Sequence, residues 1–186
     1  MRNGNAASLK KMSVEAYIAF EETADVRHEY HDGILTPMPG TTDLHNFICQ
    51  NILIALRQIL KGSSCNIFME SLKVQLTHEK HYVYPDVFVT CDPRDKEDAY
   101  IKKYPLVIIK VASPSTKVYD KTDKFLEYRK LESLKHYLVV DTEKPVVECF
   151  STEDGKEWTS ETYASITDEI NLKALGANLS LSAIYE

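Results

Sequence analysis

Lys110 interrupts an otherwise apolar run, Leu106-Val107-Ile108-Ile109-Lys110-Val111-Ala112. An ammonium inside a core strand is costly, so it either sheds its proton or meets a carboxylate, unless it lies near the strand end and snorkels to water. The carboxylate that answers this description is Asp86, which follows Pro85 and opens a second apolar run, Val87-Phe88-Val89. Two lone charges in two apolar runs predict an ion pair on one face of a sheet. Further along, Asp120, Lys124 and Tyr128 stand at i, i+4 and i+8, which is one side of a helix. That spacing suits a functional stripe, and it suits equally an exposed Asp/Lys pair beside a half-buried tyrosine. His28-x-x-His31 and His78-x-x-His81 have zinc-like spacing. They fall in loop or strand-end segments without paired cysteines, and surface histidines are the simpler reading. No Gly-rich phosphate loop, G-x-S-x-G motif or Cys/His nucleophile pair stands out.

The elements that must position these residues follow from periodicity. Ser13 caps a short helix ending at Thr23, and HEYHDGILTPMPG, with its Asp32-Gly33 turn pair, predicts two short strands and an ordered loop. TTDLHNFICQNILIALRQILKG carries capping chemistry at its start, an apolar stripe at Leu44, Phe47, Ile48, Ile52, Ala55 and Ile59, and a stop at Gly62. Three strands are predicted next, at Ile67–Leu76, Tyr84–Cys91 and Tyr104–Ala112. The third is apolar on both faces apart from Lys110, the pattern of a central strand covered on both sides. A helix over TDKFLEYRKLESL, two strands in HYLVVD and PVVECFS, and a further one in EWTSETYA complete the pattern. Helices alternating with strands in this way predict an α/β (α+β) fold with a mixed β-sheet core flanked by helices.

The 186 residues, 44% apolar and 27% charged, suit a single domain over 13–186 behind a flexible leader at 1–12. No run approaches a membrane span and the start lacks the apolar core of a secretory signal, so a soluble cytoplasmic protein is expected. Cys49, Cys65, Cys91 and Cys149 are scattered, and reduced, packed thiols are the expectation. The net charge of −6 argues against a general nucleic-acid binder. Residues 94–140 nevertheless carry eleven Lys+Arg against seven Asp+Glu, a modest basic region that also reads as a solvated helix face.

Taken in order, these segments resemble the Uma-two family of restriction endonucleases, a branch of the PD-(D/E)xK nuclease superfamily, from Ser13 onward. HEYHDGIL is similar to the family's early Glu and Asp-Gly motif and carries Glu29, and the histidine opening the long helix is His45. YPDVFV matches the Pro-Asp strand at Asp86. KVASPST resembles a motif whose usual form is Glu-Val-x-Ser-Pro-Ser-Thr and carries Ser113, while DKTDKFLEYRK matches at Asp120, Lys124 and Tyr128. HYLVVD and the closing NLKALGANLSLSAIYE are similar as well. The resemblance implies a restriction-endonuclease-like fold, a homodimer, DNA as partner and Mg²⁺-dependent phosphodiester hydrolysis. Asp86, Lys110 and Lys124 would be the catalytic set, supported by Glu29, His45, Ser113, Asp120 and Tyr128. Asp86 and Glu29 would hold the metal if a metal site survives. The position of the family's metal-binding Glu, however, is Lys110, and in a shifted register, Ile108-Ile109-Lys110 as D/E-x-K, the carboxylate position is Ile108. The expectations are therefore a DNA endonuclease using Mg²⁺, or a catalytically inactive nuclease-fold module, with no cofactor, that binds nucleic acid or a protein partner.

Overall fold

The computed structural model describes residues 11–76, 80–113 and 117–186. His78 and the Pro114-Ser115-Thr116 part of the family motif lie outside the described residues. The first helix, α1 (Val14–Thr23), starts where the Ser13 side chain accepts the Ala16 N–H. Strands β1 (His28–His31) and β2 (Ile34–Pro37) form the expected hairpin, turning through Asp32 and Gly33 at φ 44° and 94°. A Cβ on Gly33 would lie 2.5 Å from that of Lys11, so glycine is required there for approach as well as for φ. Lys11 and Met12, assigned to the leader by sequence, are fastened to this turn. Lys11 pairs with Asp32, and the Met12 N–H donates to the Gly33 carbonyl.

Helix α2 (Asp43–Ile59) is capped by Thr42, as expected. Its apolar stripe divides: Ile48, Ile52 and Ala55 are buried together with Cys49 and Leu56, whereas Leu44, Phe47 and Ile59 are exposed along with Ile54. The sheet covers only one side of the helix, and the helix carries more apolar surface than that side needs.

The predicted strand over 67–76 is two strands in two different sheets. Glu70 and Ser71, at φ 43° and 38°, break it into β3 (Asn66–Met69) and β4 (Lys73–Gln75). With β5 (His81–Val83) and β7 (Ile101–Lys102), β4 joins a five-stranded sheet in the order β2-β1-β5-β4-β7. The larger sheet runs β11-β10-β9-β8-β6-β3, built from β6 (Val87–Thr90), β8 (Val107–Ala112), β9 (His136–Asp141), β10 (Val147–Ser151) and β11 (Thr159–Tyr163) with β3. Only β8 and β9 pair in parallel, so the sheet is mixed. Strand β8 is central, as its composition requires. Val107, Ile109 and Val111 pack on the side of α2, while Ile108 and Ala112 pack on the side of Phe125 and Tyr128. A second hairpin, β12 (Glu169–Leu172) with β13 (Ala177–Ser180), leads into α5 (Leu181–Tyr185), whose Leu181 and Ile184 join the α2 side of the core.

The helical segment after β8 is irregular. One α-turn, α3 (Lys117–Tyr119), passes into a π-turn at Asp120–Lys124 and then into α4 (Phe125–Tyr128). Cys65 and Cys91 are joined in a disulfide, which corrects the expectation of four reduced thiols. They flank the Asn66/Thr90 pair of β3 and β6, so strand register sets them opposite each other, which a 26-residue separation in sequence does not disclose. Cys49 and Cys149 are free and buried. No described helix is long and apolar enough to cross a membrane.

Candidate active site

Side chains alternate along a strand, so Asp86 shares the face of Phe88, and Lys110 that of Ile108 and Ala112. Because β6 and β8 are neighbours with Val87 opposite Ile109, the two charges meet. The Lys110 Nζ lies 3.1 Å from Asp86 Oδ1 and 3.0 Å from Oδ2, with the two side chains 12% and 10% exposed. The Val111 N–H donates to Asp86 Oδ2 at 2.7 Å, and His45 Nε2, from the first turn of α2, lies 3.7 Å from Oδ1. Burial by itself raises the Asp86 carboxyl, but the Lys110 ammonium, then His45 and the Val111 N–H, outweigh it and hold the group below its usual range. Burial likewise lowers Lys110, and Asp86, then Asp120 and Glu29, reverse that and hold it above its usual value. Both partners are charged.

The remaining candidates gather around this pair. Glu29, on β1, is ion-paired with Lys124 at the end of the π-turn, and Lys124 is buried. Asp120, at the start of the same turn, is buried, and its carbonyl accepts the Tyr137 hydroxyl. Tyr128 is fully buried, and its hydroxyl has no hydrogen-bond partner among the described residues. Ser113 stands just past the end of β8, where its carbonyl accepts the Lys117 N–H.

The sequence gives little notice of Glu70. In the turn between β3 and β4 its N–H donates to the Asp86 carbonyl, and it forms a cluster with His45 and Cys49 whose ligand-type atoms all lie within 4.8 Å of one another. The available signal is the Glu70-Ser71 break in an otherwise alternating run. Burial pushes the Cys49 thiol well above its ordinary range, so it stays protonated and is a poor metal ligand there.

A hard divalent ion takes carboxylate and water oxygens at about 2.0–2.1 Å in an octahedron. Here both carboxylates that would supply it already carry an ammonium: Lys110 on Asp86 and Lys124 on Glu29. The side chains present do not fit Mg²⁺, because the place nearest the carboxylate oxygens is filled by a fixed positive charge. The basic region is also compensated. Lys117 pairs with Asp141, Lys121 with Glu148 and Lys130 with Glu127. A concavity of about 740 Å³ lies elsewhere, bordered by His136, Ser151, Glu161 and Lys173, and none of the candidate residues lines it.

This mixed sheet, covered by helices on both sides, matches a nuclease-fold neighbour. The structure superposes with a TM-score of 0.75 on a crystal structure from Anabaena variabilis ATCC 29413 described as a putative nuclease belonging to DUF820, at 16% identity over 94% of this chain and 97% of that one. The chain belongs to the Uma2 family, described as "Putative restriction endonuclease", whose profile matches residues 14–183. Two proteins of Synechocystis sp. (strain ATCC 27184 / PCC 6803 / Kazusa) are similar. One, slr1290, is 33% identical over 97% of this chain and 94% of its own length. The other, sll1609, is 27% identical over 82% of this chain and 87% of its own.

Proposed function

We propose that this Uma2-family protein is a nucleic-acid-binding module on an endonuclease scaffold, in which Lys110 stands in the seat of the catalytic metal and Mg²⁺-dependent hydrolysis is lost. The observation that carries this reading is the Lys110 ammonium within 3.1 Å of both Asp86 oxygens. A cation so placed satisfies the carboxylate without metal and raises the electrostatic cost of a second, divalent one. DNA is the partner the family suggests. With all four lysines in 117–130 paired to carboxylates, binding should be weak and steeply salt dependent. The proposal includes a cytoplasmic location, where DNA is met, and a homodimer, for which the exposed Leu44, Phe47 and Ile54 of α2 offer apolar surface.

The test compares the protein with Lys110→Glu, which restores the family's carboxylate. The unchanged protein should leave supercoiled plasmid intact with Mg²⁺ or Mn²⁺, and its thermal melt should not respond to 5–10 mM of either ion, concentrations on the order of those that fill weak oxygen-ligand sites. Lys110→Glu should be less stable without metal, through like-charge repulsion, and should recover when metal binds the folded state. Metal-dependent nicking by the unchanged protein would overturn the reading and return the chain to the endonucleases. A Lys110→Glu protein with no response to metal would show that residue 110 is not the old metal position.

A further inference from the structure

Beside this site, the small sheet carries a different set of ligands. His31 on β1 and His81 on β5 are directly opposite in an antiparallel pair. The Asp32 N–H donates to the Lys80 carbonyl, so 32/80 is a hydrogen-bonded pair and 31/81 the non-hydrogen-bonded kind, in which side chains approach most closely. Their rings stack with centroids 3.9 Å apart. Glu127, on α4, reaches across to them, with Oε2 3.2 Å from His81 Nδ1. Each of the three offers a ligand atom within 4.8 Å of the other two.

The geometry points to a transition-metal site at His31, His81 and Glu127 that takes a divalent ion of the zinc class. Two imidazoles and one carboxylate are the donor set such ions prefer, whereas Mg²⁺ prefers oxygen alone. With metal–ligand bonds of about 2.0–2.2 Å, two ligands at a tetrahedral angle lie about 3.3 Å apart. The His81–Glu127 separation is already close to that value, and the exposed His31 ring would leave its stack on His81 to cover the remaining distance. Without metal, the Nδ1–H tautomer of His81 would donate to Glu127 Oε2. The ion takes its place and the proton passes to solvent.

Neighbouring groups support the arrangement. Lys130 holds the other Glu127 oxygen at 2.7 Å, which orients Oε2 toward the rings. Each ligand stands next to a buried anchor, namely Tyr30, Tyr82 and Tyr128. The backbones are therefore fixed while the ligand atoms face solvent. Three protein ligands at a half-exposed position leave a fourth place for water, so the site is of the open kind. A bound ion would join α4 to the small sheet. It is separate from the Asp86 cluster, although Glu29 and His31 lie on the same face of β1.

The experiment is calorimetric titration of the tag-free full-length protein with Zn²⁺, repeated with Co²⁺ to read the visible absorption of a mixed nitrogen and oxygen site. One equivalent should bind, and the melting temperature should rise with Zn²⁺ concentration. His31→Ala, an exposed position that should not disturb folding, and Glu127→Gln should each weaken binding at least tenfold. Absence of binding, binding indifferent to His31→Ala, or binding lost on His45→Ala instead, which would place the ion at His45, Cys49 and Glu70, would each overturn the proposal.

Discussion

Two buried carboxylates, one in each sheet region, are stabilised in opposite ways. Asp86, beside the large sheet, faces an ammonium at 3.0 Å. Glu21, fully buried under the small sheet, is held by donors: the Tyr84 hydroxyl at 2.8 Å, the His28 N–H at 2.9 Å and His28 Nδ1 at 2.9 Å, with Arg27 only at 4.0 Å. Directional donors on several sides leave no room for an exchangeable cation, and they tie α1 to His28 of β1 and to Tyr84, just past β5. Asp86 also accepts the Val111 N–H, but its close counter-charge is one ammonium, an arrangement that a metal ion and a lysine can share. On the proposed reading, the difference separates a structural acid from one inherited from a site.

The comparison is broken most severely by Lys110→Met. Asp86 would then be buried without its counter-charge, and stability measured by urea unfolding should fall by about 3–5 kcal/mol. Asp86→Asn added to Lys110→Met should recover most of the loss, and a single-mutant loss below about 1 kcal/mol would remove the pair from the argument. The same pair fixes two pH limits. Asp86 is held below 3.8 and Lys110 above 10.5. The stability that Asp86 contributes is therefore present above pH 3.8 and lost as pH falls through its folded value, whereas that of Lys110 is present below pH 10.5 and lost as pH rises through its folded value. Lys110→Met should abolish the alkaline slope and weaken the acid one, because only His45 and the Val111 N–H would then oppose the burial that raises Asp86.

His136 on β9 sharpens the contrast, because it is a buried titratable group with no charged partner among the described residues. It accepts the Ala174 N–H at 3.1 Å and faces the Ser151 hydroxyl at 2.8 Å, and burial lowers it from 6.5 to about 4. As pH falls through this window the unfolded chain takes up the proton first. Stability should decline by about 3 kcal/mol between pH 6.5 and 4, and then level off. His136→Gln should remove that decline in a pH series of unfolding curves. A smaller effect is expected on the Glu21 side. Tyr84→Phe removes one of several donors to a charged acceptor and should cost about 1.5–3 kcal/mol in the same assay, without altering the acid and alkaline limits set by Lys110.

Much of the large sheet is legible in the chain because its strands state their environment. The run around Lys110 is apolar on both faces, and the lone charges at 86 and 110 point to each other. The small sheet is harder to read. Its strands are two to four residues long, and a positive-φ turn at Glu70 and Ser71 transfers the chain from one sheet to the other inside what reads as a single strand. Register-dependent pairings, Cys65 with Cys91 and His31 with His81, are likewise hidden, since each needs to be known to one residue before the partners coincide. The i, i+4 spacing of Asp120 and Lys124 reads as an ordinary helix, whereas the structure winds a π-turn there.

That turn gives the segment slack in its length. A π-turn holds one residue more than the α-turn it replaces. Removing a single residue within 120–124 would let the segment wind as a regular helix with its two flanks still in phase, so Lys117 would keep Asp141 and Lys124 would keep Glu29. A further insertion has no such outlet and would turn one flank against the other by about 100°. The backbone here can lose a residue more easily than it can gain one.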